Sequence, residues 1–348
     1  MHSLTDSYLH ALKFSTAQAS MLQKLGEFRG KQALFSQQTP EMLDSLKNAA
    51  MVESSESSNR LEGITAPHHR IEAVVANNAQ PENRSEQELA GYRDALRGIH
   101  AAGAQMTFNV ATVRELHKTM YLYMLENGGQ YKKKNNEIIE LHPDGRFKRV
   151  RFTPVTAADT PGAMKTLIER YAHAAHDLRI EPLVIIPLAM LDFLCIHPFR
   201  DGNGRVSRLV TLLLLYHSEY VVGRYISLER IVEESKQTYY EVLEHSSRQW
   251  HAGRHDAAPW LNYFWGVLLR AYGEFEERVG TIKHGKGAKT DAVRDVVLRR
   301  TVPFAISDIE DACPWVSHDM IRLVLRQLRD EGAIKAEGVG RGAKWRVQ

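Results

Sequence analysis

One short segment of the chain combines the residue types that bind phosphate groups. It lies between His197 and Arg208 and reads His-Pro-Phe-Arg-Asp-Gly-Asn-Gly-Arg-Val-Ser-Arg. Gly202 and Gly204 let the backbone turn several N–H groups toward one point, and a helix that begins there adds its N-terminal N–H groups and its dipole. Together these features predict a cradle for an anion such as phosphate.

The charged side chains of the segment predict what the cradle would do. Arg205 and Arg208 are three residues apart, so they share one helix face and can bind further phosphate oxygens. Asp201 is a single carboxylate beside the cradle, and Mg²⁺ in nucleotide sites is held by one or two carboxylates together with phosphate oxygens and water. His197, at the opposite end, is suited to take a proton from an incoming hydroxyl. The combination favours an active site over an ordinary turn.

The elements around this segment are predicted to be helices. Two strongly apolar stretches, Leu183–Ile196 and Leu209–Tyr216, flank it, and a loop held between buried helices is rigid. Apolar residues recur at three- and four-residue spacing through much of the chain, which predicts a mainly α fold. The best strand pattern is Arg146–Phe152, entered through a turn at His142–Gly145.

The C-terminal part of the chain has a different pattern. A glycine-rich basic linker, residues 281–290, is followed by three short helical segments and two strand-like pieces, Ile334–Glu337 and Lys344–Val347. A capping box at Ser307–Glu310 opens the second helix, and Ser317 caps the third. This order predicts a winged helix-turn-helix. Its further features are a turn at Pro314 and Trp315, an apolar third-helix face of Ile321, Val324, Leu325 and Leu328, and a wing tip at Gly338–Gly342.

Basic residues on the third helix raise the question of DNA binding. Arg322, Arg326 and Arg329 recur along the face opposite the apolar one, with Arg341 at the wing tip. The acidic residues Asp319, Asp330 and Glu331 dilute this charge, and winged helices also mediate protein contacts. The domain is therefore predicted to bind either DNA or protein.

The composition and the apolar pattern are those of a globular protein, and they favour neither a membrane-spanning nor a secreted one. The chain has 348 residues, 43% hydrophobic and 25% charged, with a net charge of +3, as expected for a globular protein of two or three domains. Its longest apolar stretch is interrupted by Asp192 and is too short for a bilayer, and no secretory signal is visible. Cys195 and Cys313 lie far apart and form no metal-type pair. A cytoplasmic protein without membrane contact is predicted.

At every fixed position the segment His197–Arg208 resembles the defining motif of Fic-domain proteins, HPFx[D/E]GNGRxxR. The surrounding helices resemble that family from about residue 105 to 280. The resemblance implies a helical enzyme that transfers AMP from ATP to a protein hydroxyl and releases pyrophosphate. It also implies a role for each motif residue: His197 as the base, Asp201 as the Mg²⁺ ligand, Gly202, Asn203 and Gly204 as the anion hole, and Arg205 and Arg208 as ligands of the outer phosphates.

An upstream stretch, Ser54–Ile64, resembles the inhibitory motif of the same family, [S/T]xxxE[G/N]. Ser58 and Glu62 are four residues apart and would share a helix face, and Gly63 is a natural helix terminator. The resemblance implies that Glu62 pairs with Arg208 and keeps ATP in an unproductive pose. A solvated helix end is the alternative. Some family members use this glutamate to remove AMP again, so Glu62 has a second possible role.

Two basic stretches near the motif receive different interpretations. Arg146–Phe152 falls where Fic proteins carry a β-hairpin flap that holds the target by strand addition, although a plain edge strand protected by its basic residues has the same pattern. Lys132, Lys133 and Lys134 are predicted to form a solvated loop.

The sequence thus predicts four segments: an N-terminal helical region with the inhibitory helix (1–104), a Fic catalytic domain (105–280), a linker (281–290) and a winged-helix domain (291–348). The predicted protein is an autoinhibited adenylyltransferase that uses ATP and Mg²⁺ and modifies Ser, Thr or Tyr of a protein target or of itself, with homo-oligomerisation also open. Two alternatives remain. One is transfer or removal of another phosphate-containing group; the other is a DNA-binding regulator whose Fic domain senses a nucleotide.

Overall fold

A computed structural model describes residues 2–35, 40–141, 146–280, 288–298, 300, 303–313, 316–337 and 344–347. The described chain is mainly helical, as predicted, and its strands form two antiparallel pairs. The helices are α1 (Asp6–Ala11), α2 (Thr16–Phe35), α3 (Pro40–Leu61), α4 (His68–Val75), α5 (Arg84–Ala102), α6 (Val110–Met120), α7 (Thr160–Ala172), α8 (Pro182–Ile196), α9 (Asn203–His217), α10 (Leu228–Glu234), α11 (Lys236–Ser247), α12 (Ala258–Gly280), α13 (Ala288–Leu298), α14 (Ile306–Ala312) and α15 (His318–Asp330). The strands are β1 (Ile138–Leu141), β2 (Phe147–Phe152), β3 (Ile334–Glu337) and β4 (Lys344–Val347).

The chain divides into two compact units, of which the first contains Met1–Gln32 and Lys47–Tyr272 and the second Ala33–Leu46 and Gly273–Gln348. Most of the predicted N-terminal region and of the predicted catalytic domain therefore lie together in the first unit. The division of the chain at residues 104, 280 and 290 stays a prediction, and residues 281–287 of the linker lie outside the described part.

Helix α8 forms the centre of the first unit. It is apolar on every side, and all but its first residue are buried, as expected for a helix surrounded by others. The one charged residue, Asp192, is fully buried and accepts hydrogen bonds from Ser3 Oγ and, at 2.6 Å, from Trp250 Nε1. Helix α9 follows after six residues and packs against α8. The predicted pair of buried helices around the motif is confirmed.

The predicted strand pattern at Arg146–Phe152 forms β2, which pairs with β1 in register Ile139 to Val150 and Glu140 to Arg149. The sequence did not indicate β1, because its four residues are too few to show alternation. The predicted turn at His142–Gly145 lies outside the described residues. Arg149 and Arg151 of β2 pair with Glu244 of α11 at 2.8 and 3.2 Å, which fixes the hairpin to the helical body.

The second unit contains α13, α14, α15 and the β3–β4 pair in the order predicted for a winged helix. The four predicted apolar residues of α15 are buried, and Ser317 caps that helix by accepting from Met320 N at 3.4 Å. The predicted cap at Ser307 is wrong: α14 begins at Ile306, and Asp308 accepts from the Ala305 N–H at 2.7 Å. Pro314, Trp315 and the wing tip Gly338–Gly342, with Arg341, lie outside the described residues.

Among the described helices, none is both long enough and apolar enough to cross a membrane.

Candidate active site

The loop between α8 and α9 is held by its own side chains. His197 ends α8 with φ +51° and Gly202 precedes α9 with φ +76°, so the chain turns through the left-handed region at both ends. Asn203 spans the loop: its Oδ1 accepts from Phe199 N at 2.9 Å and its Nδ2 donates to Phe199 O at 3.0 Å. Phe199 is fully buried. The loop is therefore fixed by contacts of its own residues.

His197 lies at the closed end of the loop. Its Nδ1 is 3.4 Å from the carbonyl oxygen of Leu194, and because a carbonyl only accepts, Nδ1 is the nitrogen that carries the proton in this contact. Nε2 then keeps a lone pair. Burial lowers the pKa of His197 to about 4, so the imidazole is neutral at physiological pH. A neutral imidazole with a free lone pair can accept a proton.

Asp201 lies at the open end, with 68% of its side chain exposed. Its Oδ1 accepts from the Gly202 N–H at 2.7 Å, and its Oδ2 is 3.9 Å from an Arg205 nitrogen. Its position is fixed by a residue that the sequence did not reveal. His117 of α6 stacks on Phe199 at 3.9 Å between ring centroids and lies 3.1 Å, through Nε2, from the Asp201 carbonyl oxygen.

The protonation of His117 follows from its two contacts. Gly129 N–H donates to Nδ1 at 2.7 Å, so Nε2 carries the proton and donates to Asp201. Burial lowers the pKa of His117 to about 4, which keeps this neutral arrangement. The residue was missed because a histidine on an apolar helix face usually belongs to the core, and its partner lies far along the chain.

Arg208 is the centre of a contact between α9 and the end of α3. Its Nε donates to Ser58 Oγ and its Nη2 donates to Ser58 O and Glu62 Oε1, each at 2.8 Å. Burial alone would lower the pKa of Arg208, but the negative charge of Glu62 raises it. The structure thus brings together the three residues of the predicted inhibitory contact.

Glu62 also lies against the cradle itself. A Cβ at Gly204 would collide with Glu62 Oε1, so the carboxylate occupies the face of the backbone where a side chain would start. Glycine at this position supplies space, whereas Gly202 supplies the positive φ. A carboxylate against Gly204 and an anion bound there would compete for the same place.

Gly63 fixes where Glu62 stands. It has φ +81°, its N–H donates to Arg60 O at 3.0 Å, and the N–H of Ile64 donates to Asn59 O at 3.0 Å. These two bonds define a Schellman motif in which Glu62 is the helix C-cap. The glycine terminates α3 as predicted.

Arg205 points into the protein rather than to the cavity that Arg208 lines. Its side chain is 1% exposed, and its Nη1 donates to Glu88 Oε2 at 2.7 Å and to Asn59 Oδ1 at 3.2 Å. Arg205 and Arg208 both contact α3, so they share a helix face as predicted. The role of Arg205 as a phosphate ligand stays a prediction.

Lys132 also differs from its expectation. Lys133 and Lys134 are exposed, but Lys132 is buried, so the predicted solvated loop is wrong for this residue. Its backbone N–H donates to Pro198 O at 2.9 Å, and its ammonium donates to Ile196 O at 3.1 Å and to Asn136 Oδ1 at 2.8 Å. A run of three lysines indicates charge but does not indicate which of them is buried, so the burial of Lys132 could not be predicted.

A cavity of about 330 Å³ joins these groups. Its floor includes His197, Gly204 and Arg208, with Glu62 at the same end. Its walls come from the β1–β2 hairpin and from α11, through Ile138, Ile139, Phe152, Tyr239 and Tyr240. His197, Gly204, Arg208 and Glu62 therefore face one space.

Comparison with known proteins agrees with this geometry. The model of the Fic/DOC family matches residues 107–215. Two proteins named protein adenylyltransferase Fic, from Drosophila virilis and Drosophila melanogaster, are 25% and 24% identical over 168 residues, which is 46% of this chain and 32% and 31% of theirs. The chain thus spans about a third of the length of these curated relatives.

Solved structures show the same fold. A Fic family protein from Desulfovibrio desulfuricans G20 superposes with a TM-score of 0.63 at 18% identity, over 97% of each chain. A Fic domain containing signaling protein from Bacteroides thetaiotaomicron VPI-5482 gives 0.61 at 21% identity, over 75% of this chain and 99% of that one. The motif and the family match together identify a Fic domain at residues 107–215, and the superpositions show that the chain shares the fold of these proteins.

Proposed function

We propose that this protein is an autoinhibited protein adenylyltransferase. The observation that carries the proposal is that His197, Gly204 and Arg208 of the motif line one cavity, so that a neutral imidazole, a glycine of the predicted anion cradle and a guanidinium face the same space. The curated relatives are named protein adenylyltransferase, which supports ATP as the substrate and a protein as the acceptor.

The proposed reaction needs one proton acceptor and one anion cradle. The oxygen of a Ser, Thr or Tyr hydroxyl attacks the α-phosphorus of ATP, and its proton passes to His197 Nε2. The bond from the α-phosphorus to the bridging oxygen of the β-phosphate breaks, so AMP stays on the target and pyrophosphate leaves. The N–H groups of Gly202, Asn203 and Gly204 stabilise the phosphate charge, and Arg208 binds the outer phosphate.

The residues present fit a Mg²⁺ ion. No group of three or more side chains suited to hold a metal exists among the described residues, but a nucleotide-bound Mg²⁺ needs only one or two carboxylates. Asp201 is exposed, and His117 holds its backbone, so one carboxylate is available in a fixed place. When bound, Mg²⁺ would neutralise charge on the α- and β-phosphates.

The contact of Glu62 with Arg208 supports the proposed inhibition. It occupies the guanidinium that the γ-phosphate needs and places a negative charge against Gly204. In the proposed inhibited state, the Glu62 carboxylate therefore occupies the place at Gly204 and Arg208 where the phosphates of ATP would bind. Loss of Glu62 removes one of the two acceptors of Arg208 Nη2, while Ser58 still accepts from Nη2 through its carbonyl and from Nε through its hydroxyl.

The β1–β2 hairpin supports the proposed site for a protein target. Phe147, Ile139 and Val150 are large apolar side chains that are 60%, 46% and 38% exposed. Such residues on a hairpin beside the cavity suit binding of an extended segment by strand addition. An edge strand alone would favour charged side chains at these positions.

The proposal extends to the rest of the chain. It retains the inhibitory region, catalytic domain, linker and winged-helix domain, with a cytoplasmic location compatible with the buried free thiols of Cys195 and Cys313. Self-modification and homo-oligomerisation remain part of the proposal.

A second candidate function is DNA-dependent regulation through the second unit. Arg322, Arg326 and Arg329 are exposed along one face of α15, although Arg329 contacts Asp330 at 2.8 Å. Binding to duplex DNA in a gel-shift assay that survives His197→Ala and is lost in Arg322→Glu/Arg326→Glu would support this function. DNA binding without any nucleotide transfer would favour a sensor over an enzyme.

The test of the main proposal is transfer from α-labelled ATP with Mg²⁺, followed by mass analysis of the protein. Wild type, Glu62→Gly and Glu62→Gly/His197→Ala are compared, with a protein lysate as the source of targets. We expect label on protein with Glu62→Gly, weak label with wild type and none with the double variant. His197→Ala should keep the fold, which thermal unfolding checks.

Two results would contradict the proposal. Undiminished label in the double variant would exclude His197 as the base. No label in any variant, with ATP binding intact and other nucleotides also tried, would exclude AMP transfer as the activity. Label only with another nucleotide would instead establish transfer of a different phosphate-containing group.

Removal of AMP is a further part of the proposal. Glu62 lines the same cavity as His197, which places a carboxylate where it can orient a water molecule toward a modified hydroxyl. Labelled protein from the Glu62→Gly reaction, purified and mixed with wild type, should lose its label. Retention of all the label would exclude this role.

A further inference from the structure

The backbone at His197 is strained and needs support from its surroundings. A φ of +51° is sterically unfavourable for a residue other than glycine. On one side the N–H of His197 donates to Phe193 O at 2.9 Å and continues α8. The carbonyl groups before and after His197 are both bound by one residue, Lys132.

The two bonds from Lys132 form a clip around the histidine. Its backbone N–H donates to Pro198 O at 2.9 Å, and its ammonium donates to Ile196 O at 3.1 Å. Asn136 accepts from the same ammonium at 2.8 Å, which fixes the lysine side chain. Rotation of the Ile196–His197 peptide group would break the bond to the ammonium, and rotation of the Pro198–Phe199 peptide group would break the bond to the backbone N–H.

The ammonium is also a buried cation at a helix end. It lies at the last carbonyl of α8, where the partial negative charge of the helix C-terminus favours a cation. Among the described residues, no carboxylate forms an ion pair with it. Burial lowers the pKa of Lys132 to about 8.

We propose that Lys132 is a positioning residue for His197: it binds the carbonyl groups of Ile196 and Pro198, the two residues that flank the proposed base, and places a positive charge beside the imidazole. This inference rests on the proposed function only in taking His197 as the base. Neither the clip nor the charge requires Lys132 to touch a substrate.

The charge has a consequence for His197 that can be measured. Burial is the main cause that lowers the pKa of His197, and the Leu194 carbonyl opposes it. Among the charged groups facing the ring, Lys132 lowers the pKa, whereas Glu62 and Asp201 raise it. Removing the ammonium should therefore raise the pKa of His197 and shift the acidic limb of the activity profile to higher pH.

The experiment introduces Lys132→Met, Lys132→Arg and Lys133→Met separately into Glu62→Gly. Lys133 is the matched control, since it is the exposed neighbour in the same loop. With Lys132→Met we expect kcat to fall by about tenfold to a hundredfold, because the base is displaced, while KM for ATP changes by less than about twofold. Lys132→Arg should restore most of the loss, and Lys133→Met should have no effect.

A second measurement reads the histidine directly and does not need transfer activity. NMR titration of ring-labelled histidine, assigned by comparison with His197→Ala, should show the pKa of His197 rising by about 0.5 with Lys132→Met and unchanged with Lys133→Met. If Lys132→Met does not fold, Lys132→Gln, which keeps a donor but no charge, should give the same rise.

The outcomes separate this inference from the proposed function. Full kcat and an unchanged His197 pKa with Lys132→Met would overturn the role of Lys132 and leave the proposed function intact. No transfer by Glu62→Gly itself would count against the proposed function, while the titration would still decide whether Lys132 acts on His197. An equal loss of kcat with Lys132→Met and Lys132→Arg would exclude the clip.

Discussion

Arg205 and Arg208 stand one turn apart on α9, yet their surroundings differ. Arg205 pairs with Glu88, whose side chain is 8% exposed in the second turn of α5. Arg208 pairs with Glu62, whose side chain is 29% exposed and which is the C-cap of α3. Both ion pairs measure 2.8 Å or less, so distance does not distinguish them. What differs is how much of the protein must move to separate each pair.

The comparison indicates that the two arginines on this face of α9 have different roles. The pair of Arg205 joins two core helices and is enclosed, so separating it would leave an uncompensated buried charge. The pair of Arg208 ends at a helix terminus beside a cavity, where water or a phosphate can replace the carboxylate. We expect the first pair to hold the fold and the second to control access to the site.

The largest effect is expected from Glu88→Gln. The substitution removes the close charged partner of the buried Arg205 and leaves only the exposed Asp201, 3.9 Å away, so the free energy of unfolding should fall by about 3–5 kcal/mol. Chemical denaturation of the variant against wild type measures this. A loss below about 1 kcal/mol would mean that the enclosed pair is not structural.

The next effect is expected from Glu62→Gly. Separating a pair at a helix end releases Arg208 toward the cavity, so AMP transfer should rise by at least about tenfold. Because Arg208 is buried but keeps its two bonds to Ser58 and faces the cavity, the free energy of unfolding should fall by less than it does for Glu88→Gln. Initial rates with labelled ATP and a denaturation curve test both parts. A large loss of stability without a gain in the rate of transfer would mean that the Arg208–Glu62 pair, like the Arg205–Glu88 pair, only stabilises the fold.

A smaller effect is expected from Gly63→Ala. The φ of +81° at this position disfavours a side chain, although a Cβ would meet no atom within 4 Å. The Schellman motif should weaken by about 1 kcal/mol, which loosens Glu62 and raises transfer by a few-fold. Gly98→Ala on α5 is the matched control, because it adds a Cβ in open space at a helical position. Equal rates of AMP transfer in Gly63→Ala and Gly98→Ala would mean that the helix cap does not contribute to the inhibition.

The smallest effect is expected from Arg84→Ala. Arg84 is 64% exposed and contacts Glu88 from the surface at 3.3 Å. Because water can replace this partner, the free energy of unfolding should change by less than about 0.5 kcal/mol. Chemical denaturation beside Glu88→Gln provides the comparison. A loss as large as that of Glu88→Gln would mean that the exposed Arg84–Glu88 contact stabilises the fold as much as the enclosed Arg205–Glu88 pair does.

The site could be predicted where its residues are close in sequence or carry a motif. The loop from His197 to Arg208 and the terminator Gly63 follow from local rules, since glycine positions, helix ends and spacing are set by neighbouring residues. The pairing of Glu62 with Arg208 was predicted only through family resemblance, because nothing local links residues about 150 positions apart, and the bond from Arg208 to Ser58 was not predicted.

The residues that the sequence did not reveal are those that support the loop from a distance. Glu88, His117 and Lys132 act through contacts that only the packed helices create. From the sequence alone, Glu88 could equally belong to a solvated helix face, His117 to the core and Lys132 to a charged loop. One sequence does not distinguish these roles from support of the loop. The fold class was predicted from periodicity, whereas strand β1 was too short to be recognised.

The position of Glu62 at a helix C-cap has a kinetic consequence for the proposed inhibition. Detaching it requires one helical turn to unwind, and helix ends open and close within about a microsecond, far faster than a typical enzymatic turnover. The inhibition would then act as a rapid equilibrium averaged over every catalytic cycle. Basal activity would measure the free energy of a single helix cap, and any molecule that binds the end of α3 would tune the rate continuously instead of switching it on or off.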